Sequence, residues 1–288
     1  MNRWPLTRSD ERGHMQLSKT MLLTAVVLAG AIALGSAYAG LKLGRRDQRD
    51  ADCCQLSLSR SLLVSAKEKL GLVTFYSNMG QDKWVSEAVF PGVNNGFFLD
   101  VGSGDGTFTS NTKTLEQKGW SGICIDPYPK NMLGRTCQVV KEVVSDESGK
   151  KVKFFAHPGL MGGIVDTLSD TRKKIIDTAP IVEVTTVTLR DILERANAPR
   201  YIHYVSLDIE GGEVNALEGF PFDEYRMGAL TVEHNYHEPQ RTTIRTLMES
   251  HGYKYVHTSD RDDFYTLADT EVSAHPTIPS SRHATAIP

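Results

Sequence analysis

In this chain of 288 residues the side chains able to bind a charged small molecule or move a proton gather at the ends of a few apolar runs. In FFLDVGSGDG (97–106), Gly102, Gly104 and Gly106 follow an apolar run at alternate positions. Glycines there let the backbone turn sharply and let a ligand lie against main-chain atoms with no Cβ in the way. Asp126 ends the next apolar run, twenty residues after Gly106, where a carboxylate can accept hydrogen bonds from both hydroxyls of a ribose. The spacing is G-x-G-x-G rather than G-x-G-x-x-G, and Asp100 stands directly before the glycines. Together with Asp105 and Asp126 it makes an acidic loop, suited to a cation rather than to a pyrophosphate. The reading therefore tilts from a dinucleotide to S-adenosylmethionine (SAM), which carries a sulfonium and an ammonium.

A second stretch, VSLDIEGGEVNALEGF (205–220), ends an apolar run in Asp208, with Glu210 and Glu213 around Gly211 and Gly212. The carboxyl ends of strands in an open α/β sheet face the ligand crevice. Asp208 and at least one glutamate are thus expected near the reacting centre, although Glu213 equally suits a helix N-terminus. A third run ends in Glu233, His234 and Asn235. Glu210, Glu213 and Asn235 are expected on the substrate side. Asp208, Glu233 and His234 are the candidate general bases; an ordinary His pKa of ~6.5 lets it take a hydroxyl proton near neutrality. Asp208, Glu210, Glu233 and Asn235 offer oxygen ligands of the kind that hold Mg²⁺ or Ca²⁺, but their spacing matches no closed metal motif and no zinc pattern exists; no metal is expected. Ser145 and Asp146, after the third run, are expected near the cofactor, and HPGLMGGIVDTLSD from His157 onward reads as a flap.

The elements that must position these residues follow from periodicity. Apolar runs at 96–101, 121–126, 137–144, 201–208, 228–235, 253–258 and 263–268 read as strands, with 151–157 as an additional edge strand. Helical patterns lie between them: one behind Ser110 containing Leu115, one opened by a Thr188/Asp191 capping box ahead of Leu189, Ile192 and Leu193, and one with Ile244, Leu247 and Met248 closed by Gly252. The last two strands, separated by a few polar residues, should form an antiparallel hairpin at one edge. This is an α/β domain with a mostly parallel seven-stranded sheet and helices on both faces.

Composition bounds the rest. With 40% hydrophobic and 23% charged residues, intrinsic disorder, collagen-like repeats and disulfide miniproteins are excluded. A net charge of −3 without a long basic block gives no nucleic-acid surface. Cys124 and Cys137, in apolar runs, read as buried free thiols, and the adjacent Cys53 and Cys54 as candidates for S-acylation. No charge interrupts residues 20–41; as a helix they reach about 33 Å, enough for a hydrocarbon core of ~30 Å. The expected organisation is a polar tail (1–19), a transmembrane helix (20–41), a juxtamembrane linker (42–60), a catalytic domain (61–269) and a flexible tail (270–288). The competing reading is a signal peptide cleaved after Ala37-Tyr38-Ala39. Basic residues flank the run almost evenly, so charge sets no orientation. SAM is a cytosolic product, and the domain is expected on that side of a single-pass anchor.

Taken together, FFLDVGSGDG, SNTKTLEQKGWSGICIDPYP, SDESGKKVKFFAH, SLDIEGGEVNALEGF, VEHN and GYKYVHTSDRDDFYTL resemble, in order, the FkbM-type methyltransferases over roughly 74–268. The upstream YSNMGQDKWV is similar to that family's lead-in, in which Gln81 and Asp82 open a helix near the cofactor. The resemblance implies a class I methyltransferase (Rossmann-like) fold, SAM as donor, and transfer to a hydroxyl oxygen of a sugar or other small metabolite. Gln81, Asp100, Gly102, Gly104, Gly106, Asp126, Ser145 and Asp146 are then the expected cofactor contacts. Two other readings compete: an NAD(P)-linked oxidoreductase on the same sheet, and a non-catalytic membrane adaptor that keeps the SAM-binding fold. Oligomeric state is not set by the sequence.

Overall fold

The computed structural model describes residues 73–156, 162–169, 173 and 180–270. The expected tail 1–19, transmembrane helix 20–41 and linker 42–60, with Cys53 and Cys54, lie outside the described residues, as do His157 and residues 271–288. Among the described residues, no helix is long and apolar enough to cross a membrane.

The described residues contain eleven strands: β1 (Phe97–Val101), β2 (Ser121–Ile125), β3 (Gln138–Val140), β4 (Val143–Val144), β5 (Lys151–Phe155), β6 (Gly163–Ile164), β7 (Ile181–Val187), β8 (Tyr201–Leu207), β9 (Arg226–Glu233), β10 (Tyr253–Ser259) and β11 (Asp262–Leu267). Seven of them form one sheet in the order β10-β11-β9-β8-β1-β2-β3. Its five strands from β3 to β9 run parallel, and β11 and β10 return antiparallel as the expected edge hairpin. The parallel strands read as near-continuous apolar runs because both of their faces are covered.

The two faces carry different helices. Helices α3 (Leu189–Arg195), α4 (Glu213–Glu218) and α5 (Gln240–Ser250) bring Leu189, Ile192, Leu193, Ala216, Leu217, Ile244 and Met248 against Leu99, Val101, Ile123, Val205 and Leu230. Thr188 caps α3 by accepting from the Asp191 amide, as the capping box predicts. On the other face, α1 (Gln81–Lys83), its π-helical continuation Trp84–Val89 and α2 (Lys113–Gln117) pack Trp84, Val85 and Leu115 on Phe98, Cys124, Tyr204 and Phe264. Alternation along β1 therefore sends Leu99 and Val101 to the first face, and Phe98 and Asp100 to the second.

Three expectations need correction. Run 137–144 is two strands: β3 ends the main sheet, and beyond Lys141 and Glu142 the chain enters a second sheet of order β4-β7-β5-β6. β5 is no edge strand of the main sheet; it lies between β7 and β6 in this second one. β7, with six β-branched residues among its seven, had a strand signal that sequence reasoning missed. Finally, Cys124 and Cys137 are not free thiols but a disulfide with Cα atoms 5.8 Å apart, because β3 starts beside β2 and brings the two side chains together in the core.

Candidate active site

β1 lies between β2 and β8, and the chain leaves it to one side and later returns on the other. Such a reversal opens a crevice at the carboxyl ends of the strands. A cleft of about 700 Å³, counted with its open mouth, lies there. Gly102 forms its floor with φ +85°; a Cβ at this position would stand 1.7 Å from the Asp208 carbonyl oxygen. The glycine is therefore required both by backbone conformation and by the contact between the β1 and β8 loops. Asp126 spans the next gap, its two carboxylate oxygens accepting from the amides of Gly104 (3.0 Å) and Tyr128 (2.7 Å). Burial pushes its carboxyl upward against these hydrogen bonds, and each oxygen keeps lone-pair capacity for a ligand hydroxyl. Beyond it the wall turns apolar, with Val143, Ile164 and the rings of Tyr128 and Phe154 at 5.9 Å.

The opposite end is acidic. Carboxylate oxygens of Asp208, Glu210 and Glu233 approach within 4.8 Å of one another; Asp208 and Glu210 line the cleft. Burial, then the charges of Glu233 and Glu210, hold the Asp208 carboxyl well above the usual carboxylate range, and it shares a hydrogen bond with Glu233. Like charges this close retain a proton or take a cation. Asp262 joins them, directly opposite Glu233 in the antiparallel ladder and so on the same face. Burial and the Glu233 charge push it up to about 7. Gln81 donates its amide to Asp262, and Asn235 donates to Glu233 at 2.6 Å.

The remaining expected residues sit behind this cleft. His234 is 2% exposed; Nδ1 accepts from the Tyr236 amide at 3.0 Å and Nε2 lies 3.5 Å from Asp263. Burial pushes its pKa down, and through the Tyr236 amide and Asp263 the ring braces the turn carrying Glu233. Glu213 is likewise a brace: Oε1 accepts from Ile209 and Gly211, and Oε2 from Gln240 at 2.7 Å. Burial pushes it up to about 7. Asp100 does not face the cleft. Period-two alternation turns it to the α2 face, where it accepts from Thr112 at 2.5 Å and lies 4.0 Å from Arg135. The acidic field expected of it comes from Asp208 and its neighbours instead. Gly106 is covered by Met132 and Asn131, and Asp105 accepts from its own loop at Thr107 and Phe108. Ser145 and Asp146 bond to each other just outside the lining, which Glu142, Val143 and Val144 supply. Gln81 reaches the acidic group rather than the glycine loop. Asp262 and Gln240 were missed; the acidic run DRDD carried only a weak hint of the first.

No curated protein matches this chain in sequence. The family described as Methyltransferase FkbM domain matches residues 100–255, from β1 into β10, taking in the glycine loop, Asp126, Asp208 and Glu233. The match spans more than half of the sequence and covers the strands that carry the glycine loop and the acidic group: the chain belongs to the FkbM methyltransferase family.

Proposed function

We propose that the protein is a SAM-dependent O-methyltransferase acting on a hydroxyl of a sugar or other small metabolite, tethered to a membrane by residues 20–41. The observation that carries this reading is the Asp208–Glu233 carboxylate pair beside the glycine-loop cleft. The residues suit the cofactor in shape and charge. Gly102 lets the β1 and β8 loops close against each other at the cleft floor, Asp126 suits the ribose diol, Tyr128 and Phe154 suit a flat base, and the acidic end suits a sulfonium. When bound, SAM supplies an electrophilic methyl group.

The chain's own residues do the rest. Asp126 and the Gly104 amide hold each other so that the loop is preorganised before any ligand arrives. The Asp208–Glu233 pair accepts the hydroxyl proton of the acceptor, a role that contributes about 10²–10⁴-fold in enzymes. Asn235 and the His234 brace hold Glu233 in place. A pyrophosphate-bearing dinucleotide would meet this acidic end unfavourably, which argues against the oxidoreductase reading.

Calorimetric titration of the full chain with SAM and with its product S-adenosylhomocysteine (SAH) tests the proposal. Binding of both is expected, with Asp126→Ala weakening it at least about tenfold; absence of binding to either overturns the reading. SAM binding with no radiolabel transferred to any of a broad hydroxyl panel would favour the adaptor. Protease protection of a C-terminal tag in sealed vesicles tests the membrane tether and the proposed cytosolic side together.

A further inference from the structure

The segment joining β2 to β3 supplies Asp126, Pro127 and Tyr128 to the cleft and then doubles back over the glycine loop. Lys130 exchanges backbone hydrogen bonds with it, its amide donating to the Gly104 carbonyl and its carbonyl accepting from the Gly106 amide, each at 2.9 Å. Arg135 closes the segment. Its guanidinium is fully buried and donates to Glu116 (2.7 Å), the Gly106 carbonyl (2.9 Å), Thr112 (2.7 Å), Ser110 (3.2 Å) and the sulfur of Cys124 (3.2 Å). Glu116 in turn accepts from the amides of Thr136 and Cys137. The two ends of the segment are thus held by one buried ionic knot and by the Cys124–Cys137 disulfide that touches it.

We infer that Arg135 is a positioning residue for the cofactor loop, and that the Cys124–Cys137 disulfide locks it, so that cofactor affinity follows the oxidation state of this pair. This rests on the cofactor reading of the cleft. A dithiol reductant delivers two electrons and two protons to the S–S bond; two cysteine thiols form and the reductant becomes a cyclic disulfide. The two sulfurs then separate to nonbonded distance within a core cluster that also holds Trp120 and Phe98. Cys137 and the Glu116-bound amides shift with them, and Arg135 loses its fixed frame under Gly106. Leu133, at the tip of the segment, is fully exposed, and what exposure the disulfide has lies at Cys137 (8%) rather than at the fully buried Cys124. A loop that is binding-competent one-tenth of the time binds with a tenfold higher apparent Kd.

The test measures SAH affinity of the full chain in detergent, before and after dithiothreitol, with free thiols counted in parallel. Cys53→Ser and Cys54→Ser are present throughout, so that only the buried pair responds. Reduction is expected to weaken SAH binding about tenfold, reversibly on reoxidation. Cys137→Ala should bind like the reduced protein and ignore dithiothreitol. Arg135→Lys keeps the charge and the disulfide but loses the fork; it should weaken SAH by more than its change in urea midpoint explains. Unchanged SAH affinity after two thiols are released overturns the inference. So does unchanged affinity in Cys137→Ala when the bond resists reduction, or in Arg135→Lys should Cys137→Ala fail to fold. Absent SAH binding in the oxidised wild type would instead refute the cofactor reading itself.

Discussion

Replacing Gly102 by alanine tests whether the crevice is set by a close approach of two backbones. The added Cβ would lie 1.7 Å from the Asp208 carbonyl oxygen, where 3.0 Å is the shortest separation tolerated; the β1 and β8 loops must part by the difference, at least about 1.3 Å. A φ of +85° adds strain for any L side chain, worth about 1–2 kcal/mol, and overpacking adds a further ~1–3 kcal/mol. Because Asp208 moves with its carbonyl, the acidic end moves relative to Gly104 and Asp126. A displacement near 1 Å in a positioned site costs on the order of 10²-fold in rate, and SAH affinity should fall with it. Gly149→Ala is the control: its φ is the same +85°, and nothing lies within 4 Å of the added Cβ. It should lose about 1 kcal/mol and bind SAH normally. Urea unfolding and SAH calorimetry on the two variants separate the effects. If Gly102→Ala matched Gly149→Ala in stability and bound SAH within about threefold of wild type, the close-approach argument would be refuted.

Other expectations follow from the charged groups and rings. Glu213 and Asp262 have carboxyls raised to about 7 in the folded chain from 4.5 and 3.8. Between those values the unfolded state binds fewer protons, so their contribution to stability is greatest below about pH 4 and declines as pH rises toward 7. Glu213→Gln should flatten that decline in urea midpoints measured from pH 5 to 8; an unchanged slope would show that Glu213 does not hold a proton. Asp263→Asn removes the counter-charge of Arg241, which binds it through two nitrogens at 2.9 and 2.7 Å. The loss should be about 2 kcal/mol in thermal unfolding, less than the ~3–5 kcal/mol of a fully buried pair because Arg241 keeps 28% of its side chain exposed. Tyr128→Ala should weaken SAH about tenfold or more, the scale of one base stacked on an aromatic ring, with little change in urea midpoint; equal affinity would place the flat base elsewhere.

The sequence made the main sheet and the glycine loop legible because each strand of the parallel sheet is a separate apolar run ending in a chemically distinctive residue. Asp126 and Asp208 could be placed from that alone. Asp100 could not, because its partner Arg135 lies thirty-five residues further on. Proximity to the glycines counted for more in the reading than the alternation that turns Asp100 away. The break at Lys141–Glu142 was hidden for another reason: two charged residues interrupt the apolar run so briefly that two short strands of different sheets read as one. Asp262 reaches the acidic group only through the return of β11 beside β9, a pairing that fixes which of two consecutive aspartates faces Glu233. His234 looked like a base because it is the right residue at the right strand end; its burial between Tyr236 and Asp263 depends on a turn with Asn235 and Tyr236 both at positive φ.

The cleft is a seam. One wall comes from Val101 and Ile125 of the main sheet, the other from Val143, Phe154 and Ile164 of the second sheet. The second sheet joins the main core only through Val144 and Val187 and otherwise rests on small clusters, the larger built on Val143, Phe154 and Ile164, while the main sheet has extensive cores on both faces. Its local opening free energy is therefore the lower of the two. A molecule held in the seam touches both sheets and adds its binding free energy to that weaker one. Cofactor occupancy thus serves as a tertiary contact: amides of β5 and β7 should gain more hydrogen-exchange protection from SAH than those of β8 or β9.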